Sequence, residues 1–216
     1  MKVLKRELVF NEFVQVERLT IEGLPFTPKV VRATNSVAFL VHNTDTDEFL
    51  FTIQDRAPMI DITTPSGELM EAAAGRFDVA KGVNGLILQE LQQELGVTAT
   101  EDQIVHINGG ENLALSPGVL TEMQWLAYVP VTTAQIDPAK KLYGERSEGE
   151  RIARRFVPAS DLINGNLEIR DMKTFALVQW YVAQVARGLL RVKRAESDGL
   201  VDANGNLNRA VSSAEV

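Results

Sequence analysis

The chain has 216 residues, 45% of them hydrophobic, enough to bury a core in one domain of ordinary size. Its formal charge of −7 leaves no basic surface of the kind that coats phosphates, which argues against a nucleic-acid partner. Cysteine is absent, which excludes disulfides, thiolate nucleophiles and cysteine-based zinc, and the two histidines, His42 and His106, are too sparse for an ordinary zinc site.

The opening "MKVLKRELVF" breaks its hydrophobics with charges, and no apolar run approaches the roughly 18 residues of a membrane span. A soluble, cytoplasmic protein with no membrane partner is expected. "LVFNEFVQVERLTIEG" alternates apolar and polar residues loosely, which predicts two short strands with a turn near Gly23, part of an N-terminal sheet over residues 1–34. "SVAFLVHNTDTDEFLFTIQDR" reads as a hairpin, because two β-branched and aromatic runs flank the turn formers "NTDTDE". "TTPSGE" reads as a loop.

From Gly85 to Leu95 the residues Leu86, Ile87, Leu88, Leu91 and Leu95 fall at helical spacing, with Asn84 expected to cap the start and Gly96 the end. Strands follow in "ENLALS" and "TEMQWLAYVPV". A second helix is predicted over "DMKTFALVQWYVAQVARGLLRVK", with Phe175, Leu177, Val178, Tyr181, Val182 and Val185 as its apolar face. A main domain over residues 35–193 would then be followed by a small, polar segment, 194–216, that reads as a flexible tail.

Residues four apart share a helix face, so Glu90 and Glu94 in "QELQQELGV" can aim both carboxylates at one spot. Two like charges there repel unless a cation sits between them. Mg2+, a hard ion shared readily with substrate phosphates, suits such a pair, and Mn2+ is an alternative. The plainer reading, a solvated stripe of good helix formers, competes with it.

The surrounding pattern resembles the Nudix box of the Nudix hydrolases. Gly75, Glu90, Leu91, Glu94, Gly96 and Val97 match it in register, whereas Lys81, Gln89 and Gln93 replace the family's Glu, Arg and Glu. The resemblance extends along the chain to the branch that hydrolyses ADP-ribose and nucleoside-diphosphate sugars. "FTIQDR" is similar to a strand carrying a phosphate-binding Arg, here Arg56. "LMEAAAG" is similar to the segment before the box, whose backbone carbonyl, here on Ala74, is a metal ligand. "LSPGVLTE" resembles a Ser-Pro-Gly loop, placing Glu122 among the substrate-binding residues. "SEGERI" resembles an acidic loop, in which Glu148 would orient or deprotonate the attacking water and Glu150 would hold a further metal.

What the resemblance implies is an α/β fold, a mixed β-sheet sandwiched between helices, with a small N-terminal sheet that commonly exchanges across a homodimer. It also implies pyrophosphate hydrolysis with Mg2+ as cofactor, held by Ala74, Glu90, Glu94 and Glu150, with Glu90, Glu94 and Glu148 as the catalytic set. The three departures suggest a weakened or retuned site, and leave open a module that binds a nucleotide-sugar or ADP-ribose without cleaving it. "IRDMKT" narrows the substrate: its Asp-any-Lys pattern, Asp171 and Lys173, resembles the nucleotide-sugar hydrolases, those acting on GDP-mannose among them, more than the ADP-ribose hydrolases. Asp171 would accept sugar hydroxyls and Lys173 would pair with phosphate. A capping Asp beside a solvated Lys is the competing interpretation.

Overall fold

Three short antiparallel strands open the chain: β1 (Val3–Asn11), β2 (Gln15–Ile21) and β3 (Lys29–Arg32), in that spatial order. The computed structural model describes residues 1–12, 14–77, 82–139, 143–144 and 151–190. Lys81, Glu148, Glu150 and the segment read as a tail lie outside the described residues. Gly23 does sit in a turn, at φ 79°, but that turn leads into a third strand. The reversal between β1 and β2 comes earlier, at the polar residues after Phe10, where Glu12 N–H donates to Val14 O. Every residue of β1 is exposed, Leu4, Leu8 and Phe10 included. Cross-strand ion pairs, Arg6–Glu17 at 3.1 Å and Arg18–Glu7 at 3.4 Å, join β1 to β2.

The main sheet begins with the expected hairpin, β4 (Ser36–Asn43) and β5 (Glu48–Asp55). β4 is buried along its whole length, which is why it reads as an almost unbroken apolar run. It pairs in parallel with β10 (Met123–Val131), from Gln124 opposite Ser36 to Val131 opposite Asn43, so the sheet is mixed. β4 and β5 stay paired only near their turn and then diverge. β6 (Glu68–Glu71) pairs with β5 and β7 (Ala73–Arg76) pairs with β4, filling the gap as one bent segment with Ala72 at the bend. β8 (Val105–His106) and β9 (Leu113–Ala114) pair with β10, and β11 (Ala153–Pro158) pairs with β5.

Helix α1 (Val83–Leu95) covers one face of the sheet: Leu86, Ile87, Leu91 and Leu95 pack with Val37, Phe39 and Val41. On the opposite face, α2 (Ala159–Asn164) and α3 (Met172–Ala186) pack Leu162, Leu177, Val178 and Tyr181 against Ala38, Leu40, Phe49 and Phe51. Alternate residues of β4 therefore serve two cores, as the strand period requires. The fold is α/β with a mixed sheet between helices. Among the described residues, no helix is long and apolar enough to cross a membrane.

Two helix details differ from the sequence reading. The helix starts two residues before Gly85, with Gly82 as its cap, so Asn84 lies inside the first turn; its side chain bonds Glu101 and His106 instead. In α3 the buried face is Thr174, Leu177, Val178 and Tyr181, and Phe175 is exposed. Thr174 takes the inward slot because its hydroxyl accepts the N–H of Ala72 at 2.7 Å, a donor that the bend between β6 and β7 leaves without a strand partner.

Candidate functional site

The two carboxylates of α1 meet the same short piece of strand. Glu94 is buried, and its Oε2 accepts the backbone N–H of Ala74 at 3.1 Å. Within a strand the N–H and C=O of one residue point to the same edge, so the Ala74 carbonyl faces the edge that Glu94 occupies. Glu90 lies one residue further along: a Cβ built on Gly75 would collide with Glu90 Cγ, Cδ and Oε1. Only a glycine lets the carboxylate lie flat on the strand. Glu90, Glu94 and Ala74 are thus brought together, and carboxylate and carbonyl oxygens are the hard donors that suit Mg2+ or Mn2+. Among the described residues no set of three or more Asp, Glu, His or Cys side chains forms a metal cluster.

Glu94 differs in one respect from a residue of a solvated stripe. At 5% exposure it is a core residue of α1, beside Leu91 and Leu95. The two departures on the same helix bond each other, Gln89 Nε2 donating to Gln93 Oε1 at 3.0 Å. An i,i+4 amide pair stands where the resemblance would place an Arg and a Glu.

The end of α1 is tied down from several sides. Gly96 closes the helix at φ 61°, with Val97 N–H donating to Leu91 O at 2.9 Å, and a side chain at Gly96 would strike the ring of Tyr143. Arg154 on β11 lies 4.4 Å from the centroid of that ring and donates to Leu95 O and Asp137 O, both at 2.8 Å. A cation there satisfies a terminal helix carbonyl and complements the helix dipole. Gly144 N–H donates to Gln93 O at 3.1 Å. The Tyr143–Ile152 bridge therefore starts and ends the acidic-loop segment close to the last turn of α1, while Glu148 and Glu150 themselves lie outside the described residues.

A second polar cluster occupies the other half of the β6–β7 segment. Glu71 is buried, and Arg56 donates to its Oε2 through Nε at 2.9 Å and Nη2 at 2.6 Å, while Lys173 Nζ donates to its Oε1 at 3.0 Å. Gln54 Nε2 lies 3.5 Å from the same Oε2. Lys173 also donates to Asp171 Oδ2 at 2.9 Å, and that oxygen accepts the Thr174 N–H and hydroxyl at 2.9 and 2.6 Å. Asp171 is the N-cap of α3, in extended backbone, so its side chain folds over the first turn and reaches Lys173, which two residues apart inside a helix could not do. Burial works against ionisation of Asp171, but the Lys173 ammonium and the Thr174 bonds outweigh it and hold its carboxyl below the ordinary value.

Glu122 lies apart from both clusters in its contacts: its Oε1 accepts the Ser36 hydroxyl at 2.6 Å, and Ser36 Oγ accepts from Gln124 Nε2 at 3.0 Å. The preceding loop is closed by Val119 and Leu120 N–H donating to Ser116 O, and it is joined to β3 through Val31. A groove of about 220 Å³ lined by Thr63, Thr64, Met70 and Arg170 flanks β6, next in sequence to Glu71 and Asp171, and does not include Glu90 or Glu94.

Glu71 and Thr174 are the residues that sequence reasoning missed. The signal for Glu71 was present: a single charge inside the apolar run "LMEAAAG" must find a partner if the run is buried. The chain matches no protein-family model and no curated protein.

Proposed function

We propose that this protein has the Nudix fold and hydrolyses the pyrophosphate bond of a nucleoside-diphosphate sugar such as GDP-mannose, releasing a nucleoside monophosphate and a sugar 1-phosphate. The observation that carries this reading is the convergence of Glu90 and Glu94 on Ala74–Gly75, with Arg56 and Lys173 gathered about three residues away along the same bent strand.

Glu90, Glu94 and the Ala74 carbonyl would hold Mg2+ or Mn2+, joined by Glu150 as the resemblance implies. When bound, the ion neutralises pyrophosphate charge and lowers the pKa of a coordinated water. Arg56 and Lys173 bind and orient the substrate phosphates. Glu148 accepts the proton of the attacking water, again by resemblance. Gly75 keeps the Glu90 carboxylate flat against β7, and Arg154 with Tyr143 keeps the end of α1 in place. The exposed apolar residues of β1 fit a homodimer in which a second copy covers the N-terminal sheet.

One observation favours a second reading. Gln93 pairs with Gln89 where the resemblance would place a Glu and an Arg, so α1 carries one carboxylate fewer than a full box would supply, and a module that binds a nucleotide-sugar or ADP-ribose without cleaving it fits such a helix. Incubating the purified protein with Mg2+ and GDP-mannose, other nucleotide-sugars and ADP-ribose separates the two. Turnover highest with a nucleotide-sugar supports the enzyme; a clear preference for ADP-ribose refutes the substrate assignment, and tight binding without product supports the module.

A further inference from the structure

Glu71 spends one carboxylate oxygen on each of two cations. Oε2 takes both bonds from Arg56, and Oε1 takes the bond from Lys173. A paired Arg–carboxylate fork would use both oxygens on one guanidinium. Here the carboxylate is instead a bridge that sets the spacing between Arg56, which follows β5, and Lys173, on the first turn of α3.

Neither cation is used up. Arg56 commits its Nε and Nη2 to Glu71, and its side chain is 37% exposed. Lys173 carries three N–H donors and gives one to Glu71 and one to Asp171. Two cations this close repel each other unless an anion lies between them. Glu71, at 4% exposure, provides that anion from the protein side and, among the described residues, leaves Arg56 Nη1 and one N–H of the 13% exposed Lys173 ammonium uncommitted, donors for a second anion. The bend at Ala72 fixes the geometry, because Thr174 holds its N–H and so locks α3 beside Glu71.

We infer that Glu71 is a positioning residue: it aligns Arg56 and Lys173 into a cationic pair that receives a phosphate of the substrate. The inference rests on the proposed reading for its substrate class, and not on turnover.

The test is calorimetric titration of inorganic pyrophosphate into metal-free protein, for the wild type, Glu71→Gln, Lys173→Met and the double variant. If Glu71 acts through Lys173, each single variant weakens binding by about tenfold, and the double variant binds no more weakly than Lys173→Met, because the two changes remove one unit. Additive losses overturn the inference, as does a Glu71→Gln protein that binds pyrophosphate as tightly as the wild type or more tightly, the result expected of a mere counter-charge. If Glu71→Gln fails to fold, the wild type still decides the matter. The Arg56 Nε–H resonance must shift on adding pyrophosphate, and an unmoved resonance refutes the pairing. Pyrophosphate binding with this pattern in a protein that cleaves no nucleotide-sugar would sink the proposed hydrolase while leaving the role of Glu71 standing.

Discussion

Glu94 Oε2 accepts the N–H of Ala74 across 3.1 Å, so one buried carboxylate joins α1 to the strand whose next residue, Gly75, carries Glu90 on its surface. Glu94→Gln keeps an oxygen for the Ala74 N–H and removes the charge. Turnover is expected to fall by orders of magnitude. Mg2+ should raise the Tm of the wild type and not of Glu94→Gln. An equal Mg2+-dependent rise in both proteins would remove Glu94 from the metal site.

Gly75→Ala tests the flat seat of Glu90. The added methyl would occupy the space of the Glu90 carboxylate, and a displacement of about 1 Å in a catalytic group is enough for a loss of about a hundredfold. Single-turnover assays at saturating Mg2+ should show at least that loss. A variant with wild-type rates would show that Glu90 does not need its position on β7.

The amide pair of α1 gives a prediction with the opposite sign. Gln89 Nε2 can donate to a carboxylate at position 93 as well as to an amide, so Gln93→Glu is expected to fold normally. The added charge should lower the Mg2+ concentration for half-maximal activity. An unchanged requirement across a Mg2+ titration would mean that Gln93 does not limit metal binding.

Asp171 carries a pH dependence. Its folded-state carboxyl lies below the ordinary value of 3.8, so its contribution to stability is fully present above that value and is lost as pH falls through the lower folded value. Asp171→Ala removes the N-cap of α3 and should destabilise by about 1 kcal/mol at neutral pH, within the 0.5–2 kcal/mol range for caps. The difference in urea-derived stability from the wild type should shrink as the pH is lowered below 3.8. A difference that stays constant into that range would show that the charge of Asp171 does not contribute.

Exposed Leu4 and Leu8 on β1 make assembly testable. Light scattering after size exclusion should give a dimer at micromolar concentration, and Leu4→Asp with Leu8→Asp should give a monomer with its main sheet intact. A wild-type monomer would end the dimer proposal.

The local features of this protein were written in local patterns. The β4–β5 hairpin was legible because turn formers interrupt two apolar runs, α1 because its leucines keep the helical period, and Gly96 because a left-handed helix end favours glycine. Glu90 and Glu94 share a helix face for the same periodic reason. β11 and α2 carry weaker signals: five of the six strand residues are not buried, and the helix has only six residues.

What the tertiary structure decided is where these local pieces meet. Periodicity cannot say that β4 and β5 diverge, that a bent β6–β7 segment fills the gap, or that Thr174 rather than Phe175 faces inward to satisfy the Ala72 N–H at the bend. It cannot distinguish a solvated Glu94 from one buried against Ala74, or place Glu71 between Arg56 and Lys173, residues 15 and 102 positions away from it along the chain. Those contacts depend on hydrogen-bond satisfaction between segments remote in sequence, a requirement that no single stretch of residues contains.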